Sequence, residues 1–232
     1  MPIYQLPEQH IFPPAFEAEP NGLLAVGGDL HPERLYKGYQ EGIFPWYSDR
    51  QPILWFAPDP RYVLFPAELH IPKSLKKIIK REVFEIRINT DFFTVVERCS
   101  DFSRPKQFGT WITGDMKIAY QQLHTIGKSH SFEAFQDGVL VGGLYGVSVG
   151  GIFAGESMFA QVSDASKVAF IWAVKQLQQW GVELIDCQVY TEHLERFGAR
   201  DISRSEYMQR LKILQMKTVD IGSTFDPEFF PI

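Results

Sequence analysis

Cysteine and long apolar runs are both scarce in this chain of 232 residues. The two cysteines, Cys99 and Cys187, lack the spacing of a zinc site and are too few for a disulfide framework. The longest apolar run, 168–174, is far shorter than the roughly 20 residues that cross a bilayer. The amino terminus lacks a basic stretch followed by an apolar one. We therefore expect a cytoplasmic protein with no membrane association.

Positive charge is also scarce, because the formal net charge is −5 at pH 7. This balance excludes a generally basic surface for nucleic acid. One segment departs from it, and its basic residues recur at a spacing that places them on one face of a helix. This basic stripe consists of Lys73, Lys76, Lys77, Lys80 and Arg81. Leu75, Ile78 and Ile79 form the opposite face, so we predict a docked helix that offers its basic face to the phosphates of a polyanion; the alternative is an ordinary solvated face.

The chain divides unevenly. Residues 1–62 are rich in proline and glycine and predict a small, turn-rich N-terminal lobe with one helix near 32–40. Residues 63–232 are more regular, and we expect them to form a second, larger domain. The predicted elements are a helix at 113–126, strands at 130–136, 139–149 and 152–159, a helix at 163–180, a strand at 182–190 and a helix at 191–197. The predicted fold class is α+β.

Polar side chains interrupt two of these apolar strands. Since side chains alternate along a strand, Asp186 and Gln188 are predicted to share one face. Glu156 and Met158 share a face of the earlier strand by the same reasoning. These residues predict a polar site. Two structural alternatives are a cap of the following helix by Asp186 and a salt bridge between Glu156 and an arginine of the small lobe.

The order of helix, antiparallel strands, helix, strand and helix resembles the fold of the GCN5-related N-acetyltransferases. That resemblance implies that the parallel strands splay apart and that the acyl donor enters the gap. The glycine-rich loop that would bind a coenzyme A pyrophosphate is missing. The sequence 161–166 stands there instead, which counts against coenzyme A.

Seven separated motifs, in one order, resemble the leucyl/phenylalanyl-tRNA–protein transferases. They are GLLAVGGDL at 22–30, GIFPWY at 42–47, WFAPDPR at 55–61, GTWI at 109–112, GESMF at 155–159, DASK at 164–167 and IDCQ at 185–188. The resemblance implies a bacterial cytoplasmic enzyme that needs no metal or cofactor. Such an enzyme moves Leu or Phe, or Met, from aminoacyl-tRNA to a protein that begins with Arg or Lys, which creates a degradation signal.

The resemblance also gives Asp186 and Gln188 the catalytic role. We expect the Asp186 carboxylate to attract the acceptor ammonium and take its proton, while Gln188 orients the reactants or relays the proton. Glu156 is expected to pair with the cationic amino terminus. Positioning can supply most of the rate, because the ester is already activated.

The donor is expected to bind through stacking and apolar contact. By resemblance, Trp46 and Trp111 hold the terminal adenosine of the tRNA, and indole rings stack on bases without reading sequence. Met158 provides an adaptable wall for the amino-acid side chain. Phe153, Leu144 and Ile185 also belong to the expected binding set. The alternatives are plain core for the apolar residues, with Phe153 on the face opposite Met158, and an interface between lobes for the tryptophans.

Two other classes of function remain open at this point. An acetyl-CoA-dependent N-acetyltransferase shares the fold, and a noncatalytic adaptor for basic amino termini needs the acidic residues but no tRNA. The basic stripe and the paired tryptophans favour the transferase. We expect a monomer, because no long apolar stripe is left unassigned.

Overall fold

The computed structural model describes residues 3–101 and 111–222. Its amino-terminal part contains a four-stranded sheet in the order β1-β2-β4-β3, and β1 and β2 are parallel. These strands are β1 (Tyr4–Leu6), β2 (Leu23–Gly27), β3 (Phe44–Pro45) and β4 (Leu54–Phe56). Helix α1 (Pro32–Gln40) lies between β2 and β3, as predicted, and begins with a proline, whose missing N–H would be unpaired at that position anyway.

A seven-stranded sheet in the order β11-β5-β10-β9-β8-β7-β6 follows. Its strands are β5 (Arg61–Leu64), β6 (Glu85–Ile88), β7 (Ser129–Gln136), β8 (Val139–Val149), β9 (Ile152–Ala160), β10 (Leu184–Gln188) and β11 (Arg200–Ile202). The helices are α2 (Lys73–Lys80), α3 (Phe92–Asp101), α4 (Gly114–Thr125), α5 (Ala165–Gln179), α6 (Glu192–Glu195) and α7 (Arg204–Leu214). In the described part of this sheet, β9 and β10 are parallel and the other neighbouring strands are antiparallel.

The α+β class and the predicted order of helix, meander, helix and parallel strand are confirmed. Asp137 and Gly138 both have positive φ in the turn between β7 and β8, which is the backbone that a tight hairpin needs. Gly150 makes the next turn, and a Cβ there would lie 2.4 Å from the Leu214 carbonyl oxygen. The turn sequences therefore determined where the long strands end.

Both faces of the large sheet are buried. One hydrophobic cluster joins the small sheet, α1, α3, α4 and α7, and the other joins α2 and α5. Trp55 of β4 is fully buried in the first cluster, so the amino-terminal part shares a core with the larger sheet. Strand β5 crosses the predicted boundary at residue 62, and the division into 1–62 and 63–232 stays a prediction. No helix in the described ranges is both long and apolar enough to span a membrane.

Candidate active site

The parallel strands β9 and β10 separate at one level of the sheet. Their pairing ends at Ala154 and Asp186, and each strand then contains a bulge. In β9 the extra residue is Glu156, because Gly155 and Ser157 pair with consecutive residues of β8. In β10 the register shifts between Asp186 and Gln188, and Gln188 has a φ of 64°. Because bulges bend strands, they open a gap where the backbones no longer bond.

A cavity of about 780 Å³ occupies this gap. All six residues predicted to bind the aminoacyl-adenosine line it: Trp46, Trp111, Leu144, Phe153, Met158 and Ile185. Glu156 and Gln188 also line it, whereas Asp186 is not among the lining residues. One face of α5 adds Phe170, Ala173, Val174 and Leu177. The cavity therefore combines a large apolar chamber with a small polar wall, as ligand sites usually do.

The bulge in β9 changes which side chains share a face. Phe153 and Met158 both pack with the cluster that contains α5. Glu156 turns to Tyr120, which belongs to the other cluster. The predictions that Glu156 and Met158 share a face, and that Phe153 lies opposite Met158, are therefore wrong. Strict alternation fails across the extra residue.

Glu156 is buried, and the groups described here that donate hydrogen bonds to its carboxylate are neutral. Gln188 Nε2 donates to its Oε1 at 2.7 Å, and the Tyr120 hydroxyl donates to its Oε2 at 2.6 Å. The Tyr39 and Tyr120 hydroxyls are themselves 2.7 Å apart. Burial raises the pKa of Glu156 to about 7, although these hydrogen bonds favour the charged form and limit the rise. A carboxyl group with this pKa can exchange a proton near neutral pH.

Asp186 lies beneath the cavity wall in an ion pair. Arg61 Nε donates to its Oδ1 at 2.8 Å and Arg61 Nη2 to its Oδ2 at 2.6 Å. The Tyr207 hydroxyl also donates to Oδ2, at 2.9 Å, and the backbone N–H of Gln188 donates to Oδ1, at 3.0 Å. Its oxygens are thus occupied by protein donors. This geometry favours a positioning role over the proton-accepting role that the sequence suggested.

The two structural alternatives are both wrong. Thr191, not Asp186, caps α6, because its hydroxyl accepts the Leu194 N–H at 3.3 Å. Of the buried arginines in the predicted small lobe, Arg61 pairs with Asp186 and Arg34 pairs with Asp29, rather than with Glu156. The Glu156 carboxylate therefore belongs to the polar wall of the cavity, whereas the Asp186 carboxylate lies behind that wall with a different set of partners.

The cavity also contains a thiol. Cys187 lines it, yet burial first and the Asp186 carboxylate second raise the pKa of the Cys187 thiol. Since the thiolate is the reactive form, this cysteine is not an activated nucleophile.

The two tryptophans stand at the side of the cavity formed by the amino-terminal part. Trp46 is 42% exposed, and its ring meets Phe56 edge to face at 5.8 Å. Trp111 is half-buried against the first hydrophobic cluster. The stacking of both indole rings on an adenine base stays a prediction.

The basic stripe lies on the exposed face of α2 and its carboxyl-terminal cap. All five of its basic residues are exposed, Leu75 and Ile79 are buried, and Ile78 is half-buried. The predicted orientation of the helix is confirmed. Its contact with phosphate stays a prediction.

Several lining residues were missed by sequence reasoning. Ser166, Lys167, Thr191 and His193 form a polar part of the cavity between the start of α5 and α6. Lys167 Nζ donates to Asp164 Oδ1 at 2.6 Å, so the pair occupies the start of α5. The motif at 164–167 was the available signal. Tyr39 and Tyr120 gave no signal, since buried tyrosines on helices look like core.

One group of possible metal ligands occurs within 3–101 and 111–222. Ligand atoms of His10, His31 and Glu33 lie within 4.8 Å of one another near the start of α1. His31 and Glu33 are exposed, and none of the three lines the cavity. This group of possible ligands therefore lies apart from the cavity.

Comparison with known proteins decides the family. The model for the leucyl/phenylalanyl-tRNA protein transferase family matches residues 63–212, and the model for its N-terminal domain matches residues 28–59. The chain belongs to this family. It is thus a member of a family of aminoacyltransferases, as the motifs predicted.

Curated relatives match along nearly the whole chain. A leucyl/phenylalanyl-tRNA–protein transferase from Anaeromyxobacter sp. (strain K) is 56% identical over 211 residues, which cover 91% of each chain. One from Myxococcus xanthus (strain DK1622) is 54% identical over 213 residues, again 91% of each. Among solved structures, a GCN5-related N-acetyltransferase from Kribbella flavida covers 72% of this chain and 60% of its own, with 12% identity and a TM-score of 0.41.

Proposed function

We propose that this protein transfers a leucyl or phenylalanyl group, or a methionyl group, from aminoacyl-tRNA to the α-amino group of proteins that begin with Arg or Lys. The new amino-terminal residue would act as a degradation signal. The reaction needs no metal or cofactor in this proposal, and the enzyme works as a monomer in the cytoplasm. The observation that carries the proposal is the cavity between β9 and β10, where an apolar chamber meets the polar wall formed by Glu156 and Gln188.

The chemistry is aminolysis of an ester. The acceptor nitrogen attacks the carbonyl carbon of the aminoacyl group, a C–N bond forms, and the bond to the ribose oxygen breaks. The acceptor ammonium must lose one proton before its nitrogen can attack, and that nitrogen loses a second proton as the C–N bond forms. The departing ribose oxygen gains one of these two protons, and the other is released to solvent. An α-amino group has a pKa of about 7.7 to 8.0, so loss of one proton near neutral pH is a modest demand. The protein mainly has to align the two substrates.

Glu156 and Gln188 are the groups that we assign to direct contact with the substrates. The Glu156 carboxylate attracts the acceptor ammonium and takes its proton, because its pKa of about 7 is close to that of the amine. The Gln188 amide holds the Glu156 carboxylate at 2.7 Å and keeps its carbonyl oxygen available to the amine. Asp186 acts through Gln188, whose backbone N–H it accepts.

The apolar chamber would take the side chain of the donor amino acid. Leu144, Phe153, Met158 and Ile185 surround it from the strands, and residues of α5 close it. The side chains of Leu, Phe and Met are all large and apolar, and none is branched at Cβ. A thioether such as that of Met158 adapts to side chains of different shapes. Trp46 and Trp111 would stack on the terminal adenosine. This arrangement recognises the end of the donor and its amino acid.

The basic stripe would contact the tRNA backbone. Its five cations lie on one exposed helical face of a protein with net charge −5, so positive charge is concentrated at this part of the surface. Contacts to phosphate bind without reading sequence, and they weaken steeply with salt. The stripe therefore fits recognition of the acceptor stem by shape.

Mass spectrometry of a peptide that begins with Arg tests the function. The peptide is incubated with the protein and Leu-tRNA, and separately with acetyl-CoA. We expect one added leucine on the Arg peptide, and none on an N-acetylated copy or on a peptide that begins with Ala. An added acetyl group would favour the N-acetyltransferase, and binding without modification would favour the adaptor.

Two glutamine variants test the site itself. Gln188→Ala removes the amide that contacts Glu156, and we expect kcat to fall at least tenfold. Gln176→Ala is the matched control, because Gln176 is 4% exposed against 8% for Gln188 and does not line the cavity. Equal losses in both variants would mean that the cavity is not the site of transfer.

A further inference from the structure

We propose that Arg61 and Tyr207 are positioning residues for the transfer reaction, because they fix Asp186 and thereby the backbone that carries Gln188. This inference rests on the proposed function. Neither residue lines the cavity, so neither is expected to touch a substrate. Both residues contact the same buried carboxylate, and Arg61 also contacts the backbone of Gly42.

The backbone at Gln188 needs support. Its φ of 64° lies in the left-handed region, which residues other than glycine and asparagine rarely adopt. The Gln188 N–H is no longer in regular register with β5, because the bulge displaces it. Asp186 Oδ1 accepts this N–H at 3.0 Å. The Asp186 side chain therefore holds the unusual backbone that aims the Gln188 amide at Glu156.

Asp186 is fixed in turn by two buried donors. The planar guanidinium of Arg61 binds both of its oxygens, at 2.8 and 2.6 Å, which determines the plane of the carboxylate. The Tyr207 hydroxyl adds a bond of 2.9 Å from α7. Arg61 is 2% exposed, Asp186 1% and Tyr207 3%. Because all three side chains are almost fully buried, these bonds hold the carboxylate in one orientation.

Arg61 also reaches the other wall of the cavity. Its Nη1 donates to the Gly42 carbonyl oxygen at 3.1 Å, just before the strand that leads to Trp46. The guanidinium lies over the Phe44 ring at 4.8 Å and the Tyr207 ring at 4.5 Å. Phe44 itself lines the cavity. One cation thus links the backbone that carries Gln188 with the wall that carries the exposed tryptophan.

A purely stabilising role does not explain this arrangement. Buried ion pairs are often no more stabilising than apolar residues of the same volume, so burial alone gives little reason for the pair. The pair instead joins the left-handed backbone of Gln188 to the wall at Gly42. Its contacts would fix the distance between the Gln188 amide and the cavity wall that carries Trp46. A reaction whose rate depends on the alignment of two substrates requires such a fixed distance.

The variant Tyr207→Phe tests the first part of the inference. It removes one hydrogen bond to Asp186 and leaves the ring over Arg61. We expect kcat to fall about tenfold, as for the loss of a hydrogen bond to a charged group, with KM for aminoacyl-tRNA changed less than about twofold. Tyr62→Phe is the matched control: Tyr62 is also 3% exposed, and its hydroxyl donates to the Ala199 carbonyl at 3.0 Å, away from Asp186. Its kcat is expected to stay within about twofold of the wild type, since it loses a neutral hydrogen bond of ordinary strength.

The variant Arg61→Lys tests the link between the two walls. Lysine keeps the charge but cannot bind both oxygens and Gly42 with a rigid fork. We expect kcat to fall and KM for aminoacyl-tRNA to rise, in contrast to Tyr207→Phe, which keeps the bond to Gly42. Full kcat in Tyr207→Phe would overturn the inference, even if Arg61→Lys failed to fold. An equal loss in Tyr62→Phe would overturn it too, because the effect would then be one of stability. A wild-type protein without any transfer would instead refute the proposed function.

Discussion

The variant Glu156→Gln should remove a pH-dependent instability that the wild-type protein carries. The side chains have the same shape, and the local hydrogen bonds can rearrange to suit the amide. Its oxygen can still accept from Gln188 Nε2, and its nitrogen can donate to the Tyr120 hydroxyl. That hydroxyl can then donate to Tyr39, which lies 2.7 Å away. The substitution therefore removes the ionisable group with little loss of packing.

The magnitude follows from the pKa of Glu156, which burial raises from 4.5 to about 7. Because the folded state holds this proton more tightly than the unfolded state, the group stabilises the fold at low pH. That contribution is fully present below pH 4.5 and is lost as pH rises through about 7. Between pH 5 and pH 8 it should decrease by about 2 to 3 kcal/mol, at about 1.4 kcal/mol per pKa unit.

Urea denaturation of both proteins at several values between pH 5 and pH 8 measures this effect. The quantity of interest is the difference between the two free energies of unfolding, because other titrating groups contribute equally to both and cancel. We expect this difference to shift by about 2 to 3 kcal/mol in favour of the variant as pH rises. Glu97→Gln, at an exposed position on α3, is the control for removing a carboxyl group outside the cavity.

A constant difference between wild type and Glu156→Gln across this range would refute the reasoning. It would mean that Glu156 is already ionised at pH 5, so burial would not dominate over the bonds from Tyr120 and Gln188. A shift in the opposite direction would mean that a cation stabilises the carboxylate. Either result would remove the reason for treating Glu156 as the proton acceptor.

Three further outcomes follow from the site. The kcat/KM of the wild type, which reports ionisable groups of the free enzyme, should rise with pH through about 7, where Glu156 becomes ionised, and an identical rise in Glu156→Gln would contradict its assignment. Replacing Lys76 and Lys77 with Gln should reduce the slope of the logarithm of the tRNA-binding constant against the logarithm of the salt concentration by about 0.9 per lost phosphate contact. Lys212→Gln, on α7, should leave this slope unchanged. Trp46→Ala should raise KM for aminoacyl-tRNA about tenfold, and Trp46→Phe should restore much of the loss, because a stacked base contributes about 1 to 3 kcal/mol; equal KM values in the two variants would argue against stacking.

The sequence predicted the parts of the fold that local patterns determine. The turns at Asp137 and Gly150 require backbone conformations that few residues adopt, so they located the ends of three strands. The spacing of Leu75 and Ile79 gave the buried face of α2. The small sheet had no such signal, because its strands have only two to five residues and their pairing joins segments distant along the chain.

The site was predicted less completely, for two physical reasons. Alternation along a strand fails wherever a residue is added, and both strands of the site contain a bulge, so the faces of Phe153 and Met158 could not be read correctly. Long-range pairing was the second obstacle. Arg61 meets Asp186 across 125 residues of sequence, and no spacing rule connects them.

The different partners of the two carboxylates explain how the proposed enzyme can distinguish an occupied cavity from an empty one. Asp186 has a permanent cation, Arg61, and so keeps the same surroundings whether or not a substrate is bound. The hydrogen-bond partners of Glu156 described above, Tyr120 and Gln188, are neutral. An acceptor ammonium would be the missing cation, and an opposite charge nearby favours the ionised carboxylate. Binding of the acceptor would therefore create the base that its own amine requires, while the geometry of Gln188 remains fixed from below.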